Sequence, residues 1–297
     1  MADLAGVCVP VCTVFSEDGA EVNKGAFLEQ IDYLLDAGVH IIALAGGTGE
    51  FPFLSEREKR RLAELAGPHI KSRRSDTGAK VIIQSSAIRT EDTIEASKHA
   101  VDCGADCLLV LPPYFEGPGE DGVLWHFEQV AKAVNCDIMA YNIPQFSGFD
   151  ITPATFAKLR QLGQIAYIKD SMGDMLRLEQ LVASGAKVFN GCDYLNPYAH
   201  LAGCIGFFSG SGNFMAKALV QLYGLLSSGD HQNAMELWKK LKPASRVIWE
   251  QPFNPSVKAA AVLAGRPVGH CRKPVLPLST EEQETLRAAL SPLIGEC

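Results

Sequence analysis

The sequence predicts an α/β chain folded as a TIM (β/α)8 barrel with a C-terminal helical extension. Short apolar runs alternate with helical patterns eight times, without a long linker or a low-complexity break. That order favours a closed parallel barrel over an open doubly wound sheet. The runs are apolar along their length and rich in β-branched residues, as strands covered on both faces must be. From Asp230 onward the strand-like runs stop and only helical patterns follow. The expected division is a barrel over residues 1–225 and a helical extension packed on it over residues 226–297, a length one barrel domain accommodates.

Val7 to Val14 reads as the first strand, followed by the turn Glu17-Asp18-Gly19. Asn23 is placed to cap a helix that runs to Ala37, where Gly38 stops it. Ile41 to Ala45 is the second strand. After the loop Gly46 to Leu54, Ser55 caps a helix and Glu58, three residues on, completes a capping box. Val81 to Gln84, Cys107 to Leu111 and Ile138 to Tyr141 are strands three to five, with helices such as Thr90 to Cys103 and Asp121 to Val134 between them. Ile165 to Lys169 is the sixth, and Lys187 to Asn190 and Cys204 to Phe208 complete the eight. The extension reads as helices over Asn233 to Val247, Asn254 to Ala264 with Pro255 in the first turn, and Thr280 to Leu290.

Composition excludes several classes. A formal net charge of −7 and the absence of a Lys/Arg run argue against a nucleic-acid surface. No apolar span is long enough for a membrane helix, and the first residues lack the order of a signal peptide. The nine cysteines form no CxxC pair and lie mostly in apolar runs, as reduced core residues of a cytoplasmic protein would. The seven histidines show no HxH or HxxxH spacing, so no metal and no other cofactor is expected.

The chemistry gathers at strand ends. Lys169 closes an apolar strand just before the turn Asp170-Ser-Met-Gly-Asp174. At the C-terminal end of a barrel strand it projects into the mouth where barrel enzymes work. Burial there disfavours an ammonium, and the neutral amine attacks a carbonyl carbon. The plainer alternative is an edge lysine that pairs with Asp170. Strand two ends in Gly46-Gly-Thr-Gly-Glu50, whose free N–H groups and Thr48 hydroxyl make an anion seat. Strand five ends at Tyr141, a phenol suited to proton transfer, and strand four leads to Tyr114 at the rim. Strand seven ends in Asn190-Gly191-Cys192-Asp193, and strand eight enters Ser209-Gly-Ser211-Gly-Asn213. An amine, a phenol, an anion seat and hydroxyl-rich loops on one rim suit Schiff-base chemistry on a small-molecule 2-oxo acid.

With those residues in view, the whole chain resembles the pyruvate-dependent class I aldolases of the dihydrodipicolinate synthase / N-acetylneuraminate lyase family. The GxTGE loop is Gly46 to Glu50, the YNxP motif is Tyr141-Asn-Ile-Pro144, and the lysine lies in Ile168-Lys169-Asp170. The resemblance implies that Lys169 forms the imine, Tyr141 shuttles the proton, and Thr48 and the Gly47 amide hold the carboxylate. It implies that Tyr114 is lent to a neighbouring subunit's site, hence a homotetramer built as a dimer of dimers. Ser171, Gly191, Asp193, Ser209, Ser211 and Phe146 complete the expected substrate surroundings. Two departures narrow the subfamily. Phe146 stands where the synthases carry an arginine for a distal carboxylate, and an apolar ring cannot replace a bidentate clamp. Gly47 stands where the loop usually has a second hydroxyl. YNIPxxSG and NGxD resemble the sialic acid lyases, yet Tyr194 occupies the position of their sugar-chain glutamate.

The leading expectation is a lyase that cleaves a 2-keto-3-deoxy sugar acid, or a related 4-hydroxy-2-oxo acid, to pyruvate and an aldehyde. The alternatives are a dehydratase using the same imine and an N-acetylneuraminate lyase-like or dihydrodipicolinate synthase-like activity. Beyond the family lie a barrel binding phosphorylated sugars through Ser209 to Asn213 and a catalytically silent binding barrel.

Overall fold

The computed structural model describes residues 3–293. Its strands close into a parallel barrel in chain order: β1 (Gly6–Pro10), β2 (Ile41–Leu44), β3 (Lys80–Gln84), β4 (Cys107–Val110), β5 (Asp137–Asn142), β6 (Tyr167–Asp170), β7 (Lys187–Asn190) and β8 (Gly206–Phe208). Around it run α1 (Lys24–Asp36), α2 (Glu56–Ser72), α3 (Arg74–Thr77), α4 (Thr90–Asp102), α5 (Glu120–Ala133), α6 (Pro144–Ser147), α7 (Pro153–Arg160), α8 (Met175–Ala183), α9 (Asn196–Leu201) and α10 (Gly212–Ser227). The extension is α11 (His231–Glu250), α12 (Phe253–Leu263) and α13 (Thr280–Leu290). Among the described residues no helix is long and apolar enough to cross a membrane.

Local signals act as expected. Asn23 accepts from the Ala26 N–H at the start of α1, and Ser55 and Glu58 form the reciprocal capping box of α2. The first strand is shorter than its apolar run. Past Pro10 the chain leaves the ladder: Val11 still donates to Ala43, but the Cys12 N–H goes to the Asn213 side chain, and Phe15 bridges Val22.

Register determines which side chains share the interior. Followed from Gly6 of β1 through β8 and on round to β2, the pairings return to β1 at Val14, a stagger of eight residues. That stagger drops inward side chains into layers drawn from alternate strands. Ile41, Cys107, Tyr167 and Gly206 make the layer nearest the closed end. Cys8, Ile82, Met139 and Phe189 lie above it, then Ala43, Leu109, Lys169 and Phe208. Pro10, Gln84, Tyr141 and Gly191 make the layer at the mouth. The apolar members of the lower three layers form one buried cluster, separate from the larger core between barrel and helices.

Large and small residues interlock between layers. A Cβ on Gly206 would stand 2.4 Å from both the Phe189 ring and the Gly6 carbonyl, so the glycine makes room for the phenylalanine above it. Gly206→Ala should therefore cost about 1–3 kcal/mol through overpacking. Urea unfolding checks this: the midpoint should fall while the slope stays unchanged.

Candidate active site

Lys169 lies on β6 with only 6% of its surface exposed. Its Nζ sits 3.8 Å from the centre of the Tyr141 ring and 4.1 Å from that of Phe208, two aromatic faces suited to a cation. Among the described residues it has no carboxylate partner. The edge-lysine alternative fails because neighbouring strand residues face opposite ways. Asp170 points outward and accepts from Asn142 Nδ2 and Arg177 Nε, each at 2.8 Å, while Arg177 also pairs with Asp150. Next door on β7, a Cβ on Gly191 would fall 3.1 Å from Lys169 Cε and 2.1 Å from Ser171 Oγ. Only glycine leaves the lysine stem its path. The buried Ser171 hydroxyl at this point has no partner in the protein.

The β2 loop faces the same space. Tyr141 Oη would be 3.9 Å from a Cβ on Gly47, and Thr48 is buried. Ala45 and Glu50 at the loop's two ends adopt left-handed φ of 51° and 59°, a strain that surrounding contacts must hold. They do so from the extension. Lys258 Nζ on α12 lies 2.6 Å from Glu50 Oε1, both fully buried, and donates to the His270 carbonyl. The Arg272 N–H donates to Glu50 Oε2, and Asn254 Nδ2 donates to the Gly47 carbonyl at 3.0 Å. Arg272 also grips Glu58 with two guanidinium hydrogen bonds of 2.9 and 2.7 Å. These bonds, with help from the Ser55 N–H and hydroxyl, hold the Glu58 carboxyl down at about 2.

The expected polar residues of β7 and β8 lie deeper. Asp193 is buried and accepts from the Ser211 N–H (2.9 Å), the Ser211 hydroxyl, the Gly210 N–H (3.4 Å) and Trp249 Nε1 (3.0 Å). Burial pushes its carboxyl above the usual carboxylate range, against the pull of those donors. Ser209 accepts from Asn196 Nδ2. The donors a phosphate would need are thus engaged by the protein's own carboxylate. Tyr194 packs edge-on against Trp249. Tyr114 sits half-buried at the rim, edge-on to Phe51, its phenol raised by burial and then by Glu56. Phe146, on α6, is 80% exposed. The structure thus gathers Lys169, Tyr141, Gly47, Thr48, Ser171 and Gly191 at the mouth, and sets Tyr114 and Phe146 on its rim.

Sequence reasoning missed Gln84, Asn254, Lys258, Arg272 and Trp249. For Gln84 a signal existed: a carboxamide ending the otherwise apolar run Val81-Ile-Ile, at an inward position. The other four reach the mouth only through folding of the extension.

A lysine at the mouth of a barrel, flanked by a phenol and a glycine-rich anion loop, defines an enzyme of the Schiff-base, class I aldolase and lyase type. The chain belongs to the dihydrodipicolinate synthetase family, whose description matches residues 3–293. It is 31% identical over 294 residues to the 4-hydroxy-tetrahydrodipicolinate synthase of Methanopyrus kandleri, covering 98% of this chain and 96% of that one. It is 36% identical over 285 residues to the synthase of the same name from Corynebacterium aurimucosum, covering 95% and 92%. Among solved structures it matches YagE, an E. coli K12 prophage protein of the dihydrodipicolinic acid synthase family in complex with pyruvate, at 32% identity and a TM-score of 0.92 over 99% of each chain. The dihydrodipicolinate synthase of Aquifex aeolicus matches at 29% identity and a TM-score of 0.91 over 98% of each.

Two predictions follow from the bracing. Lys258→Met strands a buried carboxylate and should cost about 3–5 kcal/mol, whereas Glu50→Gln combined with Lys258→Met should recover part of it; chemical denaturation of the three proteins measures both. Glu58, depressed in the folded state, contributes stability that is complete above its ordinary value of 4.5 and is lost as pH falls toward about 2. Glu58→Gln should therefore flatten the acid limb of a stability–pH curve below 4.5.

Proposed function

We propose that this enzyme makes or breaks a carbon–carbon bond through an imine between Lys169 and the C2 carbonyl of pyruvate. The observation that carries the reading is a buried lysine amine lying over two aromatic faces, with no carboxylate beside it, under a phenol and an anion loop. Attack of the neutral amine on C2, followed by loss of water, gives a protonated imine that draws electrons from C3. Loss of a C3 proton gives an enamine, whose C3 adds to an aldehyde carbon while Tyr141 supplies a proton to the new hydroxyl. In reverse, Tyr141 takes that proton as the C3–C4 bond breaks, and hydrolysis frees pyruvate and the lysine. Thr48 and the Gly47 N–H hold the pyruvate carboxylate. In this reading Tyr114, at the rim, serves a neighbouring subunit's site in a homotetramer, as the family resemblance implies.

For the acceptor, the relatives' names support condensation of pyruvate with an aldehyde, as in the 4-hydroxy-tetrahydrodipicolinate synthases, over the sugar-acid cleavage that the sequence alone puts first. One observation sustains the sugar-acid reading as second: the rim position for a distal carboxylate carries Phe146, exposed and unable to offer a bidentate contact.

Borohydride reduction with pyruvate should add mass to Lys169, and Lys169→Ala should abolish both that adduct and turnover; pyruvate chemistry persisting near the wild-type rate in Lys169→Ala would sink the mechanism. Tyr141→Phe should still form the adduct but lower kcat by about 10²–10⁴-fold. Comparing aldehydes that carry a distal carboxylate with polyhydroxy aldehydes, by pyruvate consumption, decides between the two acceptors.

A further inference from the structure

The mouth layer holds one polar side chain that the mechanism above leaves idle. Gln84 ends β3, pairs in register with Leu109, and so faces inward in the same layer as Tyr141 and Gly191, the layer above that of Lys169. It is 7% exposed, and neither Oε1 nor Nε2 has a hydrogen-bond partner in the protein. Buried carboxamides without partners are rare because desolvation is uncompensated, so such a group in a mouth is matched by a ligand. Its position says which part of the ligand. A Cβ on Gly46 would stand 3.7 Å from Gln84 Oε1, and one on Gly47 stands 3.9 Å from Tyr141 Oη. The carboxamide and the phenol therefore flank the same two-residue stretch of the anion loop, from β3 and β5. That stretch offers no side-chain hydroxyl, because both of its residues are glycine.

We propose that Gln84 is a substrate-binding residue whose Nε2 donates to the carboxylate of the 2-oxo acid, supplying the contact that Gly47 cannot. This rests on the pyruvate–imine reading given above. A carboxamide offers both a donor and an acceptor, and an anion selects the donor. The bond joins a neutral donor to a charged acceptor, so its loss should weaken binding by about 10–100-fold. The contact is present before and after imine formation, so it acts on KM and not on kcat.

The test uses the full-length protein and follows borohydride trapping of pyruvate on Lys169 as a function of pyruvate concentration. Gln84→Met, close in volume, should raise the half-saturating concentration about 10–100-fold with the same adduct at saturation. Its ligand-free melting temperature should be no lower than wild type, since it removes an unpaired polar group. Adding Gly47→Thr to Gln84→Met supplies a hydroxyl to the same stretch and should bring the half-saturating concentration back down. An unchanged concentration dependence in Gln84→Met, with an adduct in wild type, overturns the role of Gln84 and leaves the imine standing. A lowered melting temperature without recovery by Gly47→Thr makes Gln84 a packing residue and also overturns it. No adduct in folded wild type overturns the imine reading itself, and the role of Gln84 with it. Gln84→Glu gives an independent reading: a carboxylate beside the substrate carboxylate should weaken pyruvate binding more than methionine does, and equal or tighter binding counts against the proposal.

Discussion

Everything at the barrel mouth depends on placing one lysine amine in a buried position without a counter-charge. A buried ammonium is costly unless it is paired or held by other favourable contacts. Here aromatic faces of Tyr141 and Phe208 take the place of a carboxylate. The arrangement works only because the nearest carboxylate in sequence is kept away. Strand alternation sends Asp170 outward, and Arg177 and Asn142 satisfy it there. Had Asp170 shared the inward face, a salt bridge would have occupied the amine. Gly191 completes the constraint by clearing the stem, at the expense of any side chain on that strand end.

A second constraint is how loops around the mouth keep their shape. The β2 loop carries strained residues at both ends, and in the proposed reaction its donors stay free for an incoming anion. Its bracing therefore comes from outside, through the buried Glu50–Lys258 pair, the Arg272 N–H and the Asn254 contact to a carbonyl. None of these uses an N–H that the substrate needs. The β8 loop is treated in the opposite way. Its Gly210 and Ser211 N–H groups are taken up by Asp193, a carboxylate built into the fold, to which Trp249 also donates from α11. Two glycine-rich loops that look alike in sequence thus differ in structure, the first braced from outside through Glu50 and a carbonyl and the second held from within by Asp193. The helical extension is what makes that difference, since it supplies the braces of the first loop and the indole of the second.

This explains which features could be read from the chain alone. The eightfold alternation, the Asn23 cap and the Ser55–Glu58 box are local, and a local pattern is visible in sequence. Lys169, Tyr141 and the Gly46–Glu50 loop were recognisable because each sits at the end of an apolar run, where unusual residues stand out. Asp193 was read as facing substrate because its motif is local, while its partners Ser211 and Trp249 lie 18 and 56 residues away and decide where it points. Arg272 meets Glu50 across 222 residues, and no periodicity announces such a pairing. Gln84 lay between these cases. Its inward parity was readable, but its place beside Tyr141 and Gly191 follows from the barrel's stagger, which exists only once the sheet closes.

The same division between shared and local features bears on the acceptor. Relatives at 31–36% identity match the chain along nearly its whole length. Lys169 and Tyr141, the residues proposed to activate the 2-oxo acid, lie in the interior layers, where register and packing allow few alternatives. The position proposed for the acceptor is the rim, where Phe146 projects from the four-residue helix α6 into open space and carries no packing duty. A position free of packing can change without cost to the fold, so overall similarity speaks for the pyruvate half of the reaction far more strongly than for the other half. The rim side chains must be weighed by their own chemistry. An exposed phenyl ring offers no cation at that point, so the synthase-like acceptor that the relatives' names support would find the partner of its distal carboxylate on another rim element.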